Sequence, residues 1–323
     1  MMKDTLIAII ISFAVSAALG PFVIPMLLRL KIGQTVRTDG PETHLAKNGT
    51  PTIGGLIFLA GIAVVSVVFW KKYPEMTPLI FLTFCFGIIG FIDDFIKVVL
   101  KRSKGLAAWQ KFSLQFIVTA AFAWFLVKYE GQSLDMLIPF GGGKMIDPAY
   151  LGLPLLFFVV LGTDTGANFT DGLDGLASSV TAAIALFFMV VASVLGGEHA
   201  AAVSVVSGAV LGGLLGFLLF NAHKAKVFMG DTGALALGGY VAAAAYMMHV
   251  QLLLPVVAII YVIEVVSVMM QVSYFKLTHG KRIFKMAPIH HHFEKCGWSE
   301  TQVMTRFTVV TLIAAAICLL AIL

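Results

Sequence analysis

Charge is scarce in this chain. Only 12% of its 323 residues are Asp, Glu, Lys or Arg, against 59% hydrophobic, and the mean hydropathy is +0.96. A soluble domain carries about 25% charged residues, so that class is excluded. Cysteine is scarce too. Cys85, Cys296 and Cys318 lie far apart, with no CxxC and no even set, which argues against both a disulfide framework and a zinc site. No GxxxxGK[ST] loop occurs, so nucleotide hydrolysis by that route has no support. No internal repeat, low-complexity tract or soluble domain is visible, and 1–323 reads as one transmembrane unit.

What the chain has is apolar length. Runs near 5–28, 53–70, 78–96, 112–127, 149–163, 176–195, 200–220, 233–250, 253–275 and 305–323 read as ten spans of a hydrocarbon core roughly 30 Å thick. The fold class expected is therefore all-α, a polytopic integral membrane protein of about ten helices. The first run is longer than a signal-peptide core, and Lys3 with Asp4 gives no net positive start, so it reads as a retained span. Loops 29–52, 93–111, 164–175, 221–232 and 276–306 hold 17 of the 22 Lys and Arg. By the positive-inside rule those loops face the cytoplasm and both termini lie outside. The net charge of +5 then needs no nucleic acid to explain it. A small outer hairpin is expected in "LIPFGGGKMIDP", where glycines separate two apolar stretches.

The same five loops hold ten of the 17 acids: Asp39, Glu42, Asp93, Asp94, Asp164, Asp171, Asp174, Asp231, Glu294 and Glu300. Asp93 and Asp94 end an apolar run, and Lys97 stands at i+4 from Asp93. A solvated helix end would look similar, but paired acids at a membrane edge are costly and more often functional. In "NFTDGLDGLA", Asn168, Asp171 and Asp174 recur every three residues, beside Gly172 and Gly175. Oxygen ligands on one face suit a hard cation or a hydroxyl-rich substrate. Capping of the next helix would explain one oxygen, not three. "FMGDTGALALGG" sets Asp231 between glycines ahead of another span, where an N-cap role is equally open. "MAPIHHHFEK" holds His290, His291 and His292. Consecutive imidazoles cannot all face one ion, so phosphate contact beside Lys281, Arg282 and Lys285 is the better physical reading. Within a span, Glu264, Ser267, Gln271 and Tyr274 form a polar stripe that either lines a groove or bonds a neighbouring helix. Carboxylates that hold Mg²⁺, with Lys and His on phosphate oxygens, are what phosphoryl transfer to a membrane-bound acceptor requires.

"GTPTIGG" (49–55), "DDFIK" (93–97), "NFTDGLDGLA", "FMGDTGALALGG" and "APIHHHFE" (287–294) resemble, in order, the motifs of the phospho-N-acetylmuramoyl-pentapeptide transferases. These belong to the polyprenyl-phosphate N-acetylhexosamine-1-phosphate transferases, and the histidine segment marks the muramoyl branch. The resemblance implies Mg²⁺-dependent transfer of phospho-MurNAc-pentapeptide from UDP-MurNAc-pentapeptide to undecaprenyl phosphate. Lipid I and UMP are the products, at the cytoplasmic face of a bacterial plasma membrane. It implies Asp231 as Mg²⁺ ligand, Asp93 as base, and Asp94 as a holder of phosphates. Asn168, Asp171 and Asp174 would line the nucleotide-sugar pocket, with Lys97 also on substrate. Phe228 would stack beside uracil, Lys47 would lie near the nucleotide, and His290 and His291 would be the functional imidazoles, with His292 less defined. Glu264, Ser267 and Gln271 are assigned to a lipid groove on their stripe alone. Relatives suggest a homodimer. One departure is present: where the family usually reads Ser-Asn-Ala-Val, this chain has Asp164-Thr165-Gly166-Ala167.

Two rivals frame this reading. A sibling transferase would move N-acetylglucosamine phosphate onto the same lipid, and the histidine segment argues against it. A cation transporter would place its acids near the midplane, often in repeated halves. Here they gather on one face.

Overall fold

The computed structural model describes residues 1–30, 49–102, 105–129 and 131–323. Among these residues ten long helices occupy the ten apolar runs: α1 (Met2–Arg29), α2 (Gly55–Phe69), α3 (Thr77–Val98), α4 (Ala108–Trp124), α5 (Gly152–Thr170), α6 (Leu176–Leu195), α7 (Ala200–Asn221), α8 (Gly230–Met247), α9 (Ile259–Leu277) and α10 (Glu300–Leu320). Eight of these stretches are long and apolar enough to cross a membrane, some with a short helical extension; α2 and α8 are not among them. With 15 residues, α2 is about 22 Å long. For α8 the reason is different. From Thr232 to Met247 every residue is buried, so Ala and Gly can replace the larger apolar side chains that lipid contact favours.

Packing follows membrane rules, in which close approach of small residues replaces a water-driven core. The buried face of α1 is Thr5, Ala8, Ser12, Ser16, Gly20, Ile24 and Leu27, while Leu6, Ile10 and Phe22 point outward. The facing stripe on α7 is Gly208, Gly212 and Gly216. A Cβ at Gly212 would come within 2.1 Å of the Ile9 carbonyl oxygen. Thr5 and Ser204 share a hydroxyl hydrogen bond of 2.9 Å inside this seam. The buried side is thus more polar than the exposed one.

At the centre, α8 packs against α3 and α5. Gly90 of α3 meets the backbone of Asp231, where a Cβ would fall 2.0 Å from the carbonyl oxygen. This contact brings the C-terminal end of α3 onto the first turn of α8. At the far end, Met136–Leu137 and Met145–Ile146 form the expected hairpin, with Met136 opposite Ile146. It is tied down by backbone bonds from Leu137 N–H to His249 O (2.8 Å) and from Phe140 N–H to Ala321 O (2.7 Å).

Candidate active site

Four helix ends converge on Asp231. It lies in the first turn of α8, and Gly230 before it has φ +70°, a conformation that favours glycine. A Cβ there would also meet Asp94 Oδ2 at 2.5 Å. The loop leading in is braced by "GTPTIGG". Phe228 N–H bonds to Pro51 O, and Gly54 N–H bonds to Phe228 O, each at 2.8 Å. Phe228 is left half-buried beside the site.

Asp231 Oδ2 accepts from Lys97 of α3 at 2.8 Å and Lys111 of α4 at 2.9 Å. Its Oδ1 accepts from Asn168 Nδ2 of α5 at 2.9 Å. Lys97 also lies 2.6 Å from Asp93 Oδ2, its i+4 partner. Asp93 Oδ1 accepts the Leu106 N–H at 2.6 Å. The Asp93 side chain is only 4% exposed and that of Asp231 18%, so Asp231 is the more reachable carboxylate. An ammonium group bridging Asp93 and Asp231 shows that the cluster already holds a cation between hard oxygen donors. That donor set fits Mg²⁺.

Asp94 faces another way. Its Oδ1 accepts Asp231 N–H at 3.2 Å, and its Oδ2 accepts Thr232 N–H at 2.9 Å and the Thr232 hydroxyl at 2.7 Å. A carboxylate here caps the positive end of α8 from a different helix. Both oxygens of Asp94, which the resemblance places on phosphate, are taken up by that helix end.

Asp171 follows the last residue of α5. Burial pushes its carboxyl well above the usual carboxylate range, and the nearby Asp231, Asp94 and Asp174 add to the effect. Asp174 is turned toward a second group. Its Oδ2 accepts Ala225 N–H at 2.9 Å and lies 3.5 Å from His223 Nδ1. Asp174, His223 and Glu300 bring potential ligand atoms within 4.8 Å of one another. Thus Asn168 joins the Asp231 cluster, Asp174 does not, and the three-residue spacing did not keep them on one ligand.

The three histidines separate as the sequence requires. His290, on the short helix Ile289–Lys295, is 1% exposed, and its Nδ1 lies 3.0 Å from Oε2 of Glu264, which is 0% exposed. The contact is off the axis of a hydrogen bond, so neither group is satisfied by it. His290 also lies against Gly172, where a Cβ would meet Nε2 at 2.1 Å. His291 Nδ1 pairs with Glu294 Oε2 at 2.7 Å, and His292 Nδ1 accepts Lys285 N–H at 3.1 Å.

Along α9, where a lipid groove is expected, the polar stripe makes internal contacts. Glu264 faces His290, and the Ser267 hydroxyl donates to Glu264 O at 2.8 Å. Gln271 Oε1 accepts from Ile283 N–H (3.2 Å) and Phe284 N–H (3.0 Å). The stripe therefore fastens the last loop to its own helix. Lys47, with Asp39 and Glu42, lies outside the described residues.

Lys111 is the residue that sequence reasoning missed. Its span was read as starting at 112, but α4 starts at Ala108, where Gln110 Oε1 accepts the Ala107 N–H at 2.9 Å. A lysine in the first turn of a helix opposes the helix dipole, and that mismatch was the available signal.

Residues 76–249 match the model of Glycosyl transferase family 4. The class is therefore a membrane-embedded transferase. A phospho-N-acetylmuramoyl-pentapeptide-transferase of Caldicellulosiruptor bescii is 48% identical over 98% of this chain and 96% of its own length. One of Acetivibrio thermocellus is 50% identical over 94% and 91%, and one of Clostridioides difficile is 45% identical over 97% and 96%. The chain belongs to the phospho-N-acetylmuramoyl-pentapeptide-transferase family, which favours the muramoyl donor over N-acetylglucosamine.

Proposed function

We propose that this chain transfers phospho-MurNAc-pentapeptide from UDP-MurNAc-pentapeptide to undecaprenyl phosphate, giving lipid I and UMP. The reaction takes place at the cytoplasmic face of the bacterial plasma membrane, on a ten-span chain with both termini outside. The observation that carries this reading is the cluster of Asp93, Asp231, Asn168, Lys97 and Lys111 at the ends of membrane helices. The acceptor cannot leave the bilayer and the donor cannot enter it, so the chemistry belongs where apolar helix meets charge.

Asp93 takes the proton of the lipid phosphate. The freed phosphate oxygen attacks the sugar-side phosphorus of the donor. A new P–O bond forms as the bond to UMP breaks, and UMP leaves. Lys97 and Lys111 balance charge on the phosphate oxygens. Asp231, with Asp93 alongside, would hold Mg²⁺, which would supply further positive charge to the diphosphate. An acceptor reaching Asp93 must displace the Gly105–Leu106 turn, since Leu106 N–H now occupies Oδ1. Asn168 fixes the orientation of Asp231, and Phe228, Asp171 and Asp174 border the donor.

The test is UMP release by purified protein supplied with both substrates, with and without Mg²⁺. Asp93→Asn and Asp231→Asn should each lower the rate by about 10²–10⁴-fold, and chelation should abolish it. Release that survives chelation, or that either substitution leaves near the wild-type rate, would refute the assignment.

A further inference from the structure

The acid that departs from the family pattern, Asp164, lies beneath the cluster. It is 0% exposed on α5, one turn below Asn168. Its Oδ2 accepts a short hydrogen bond from Gln115 Nε2, and Gln115, on α4, is one turn below Lys111. Two rungs therefore join the same two helices. In the upper rung Lys111 and Asn168 meet on Asp231, and in the lower rung Gln115 and Asp164 meet directly.

The third helix closes the arrangement. A Cβ at Gly238 of α8 would lie 2.5 Å from Asp164 Cα and 2.9 Å from its Oδ1. Gly238 is seven residues, two helical turns, from Asp231 and so shares its face. Oδ1 is buried there without a hydrogen-bond partner. Asp164 thus sits at the junction of α4, α5 and α8, whose ends supply Lys111, Asn168 and Asp231. Of these, α4 is weakly embedded, with only Gln115, Thr119, Phe122 and Ala123 buried. A polar bond inside apolar surroundings gives such a helix a single preferred seat.

We propose that Asp164 is a positioning residue, which through Gln115 seats α4 so that Lys111 reaches Asp231. This rests on the reading of the Asp231 cluster as the reaction centre. Removing the carboxylate leaves the Gln115 amide unpaired among apolar helices and frees α4 to shift. The nucleotide-side residues Phe228 and Asp174 belong to other elements and stay in place.

The test compares Asp164→Leu, Gln115→Leu, their double variant and Asp164→Asn in the full-length protein. The two Leu singles should lower kcat by about 10–100-fold, with donor KM within about twofold. The double variant should be no worse than the poorer single. Asp164→Asn should restore most of the rate, since its amide oxygen still accepts from Gln115. If Asp164→Leu does not fold, Asp164→Ser, too short to reach Gln115, takes its place.

A second readout is independent of turnover. Phe116 of α4 and Phe157 of α5 lie with ring centroids 4.5 Å apart. Cysteines at both positions should be bridged readily by a short thiol-specific bifunctional reagent, which spans the gap that removal of the two rings leaves, and several-fold more slowly once Asp164→Leu is added. An unchanged kcat in Asp164→Leu, or a lost kcat with unchanged cross-linking, would overturn the proposal. If the wild-type protein released no UMP from the muramoyl donor, the functional reading would fail, and the cross-linking arm would still decide whether Asp164 seats α4.

Discussion

Two groupings of carboxylate and base stand close to the same loop, and they are built in opposite ways. Around Asp231, two carboxylates, two ammonium groups and an amide from four helices share short contacts, and part of the cluster is reachable from outside. Around Glu264, one carboxylate and one imidazole face each other in full burial, at 3.0 Å and off axis. The first is over-supplied with charge of both signs, so an incoming phosphate can exchange partners without stranding a buried group. The second has nothing to exchange with. The difference teaches that residue type alone does not assign chemistry. His290 lies between Glu264 of α9 and Gly172, just past the end of α5, and not among the ammonium groups around Asp231.

The comparison is open to attack at three points. The largest expected effect is on the sealed pair. Glu264→Leu takes away the carboxylate that faces buried His290 at 3.0 Å, and loss of this pair should lower unfolding free energy by about 3–5 kcal/mol, seen as a large drop in detergent-solubilised melting temperature. Loss of turnover with an unchanged melting temperature would move this pair into the chemistry and erase the contrast. Next comes Lys111→Met, which keeps the apolar stem but removes the charge. It should lower kcat by about 10²–10³-fold with little change in melting temperature, and a normal kcat would remove Lys111 from the cluster's function. Smallest is Asp94→Asn, since an amide oxygen can still cap α8. The cost should be about 0.5–2 kcal/mol, with most activity retained. A loss as deep as that of Asp93→Asn would return Asp94 to the phosphates.

The ten helices were legible because hydrophobic length is a local property of the sequence, and the hairpin was legible from its glycines. Asp93, Lys97, Asn168 and Asp231 were legible as a group because each is a polar residue at the end of an apolar run. The pairings were not. Asp94 caps a helix whose first residues lie 137 positions away, and at either end of that contact the sequence shows only an acid and a small-residue turn. The α9 stripe was visible as a stripe, but Gln271 bonds Ile283 and Phe284 through backbone N–H groups, which carry no side-chain signature. The Ala and Gly of α8 mark the most enclosed helix among the described residues, which a count of apolar runs does not distinguish from its neighbours.

That enclosure has a consequence for motion. Amide exchange with solvent water requires local opening, and a helix buried from Thr232 to Met247 opens only when its neighbours do. Its amides will be among the last to exchange, while those of residues 278–288 exchange early. Asp231 therefore sits at the mouth of the slowest-breathing part of the protein, one residue before it. The reacting lipid and sugar must come to a fixed point, and all adjustment falls to the loops and to the substrates themselves.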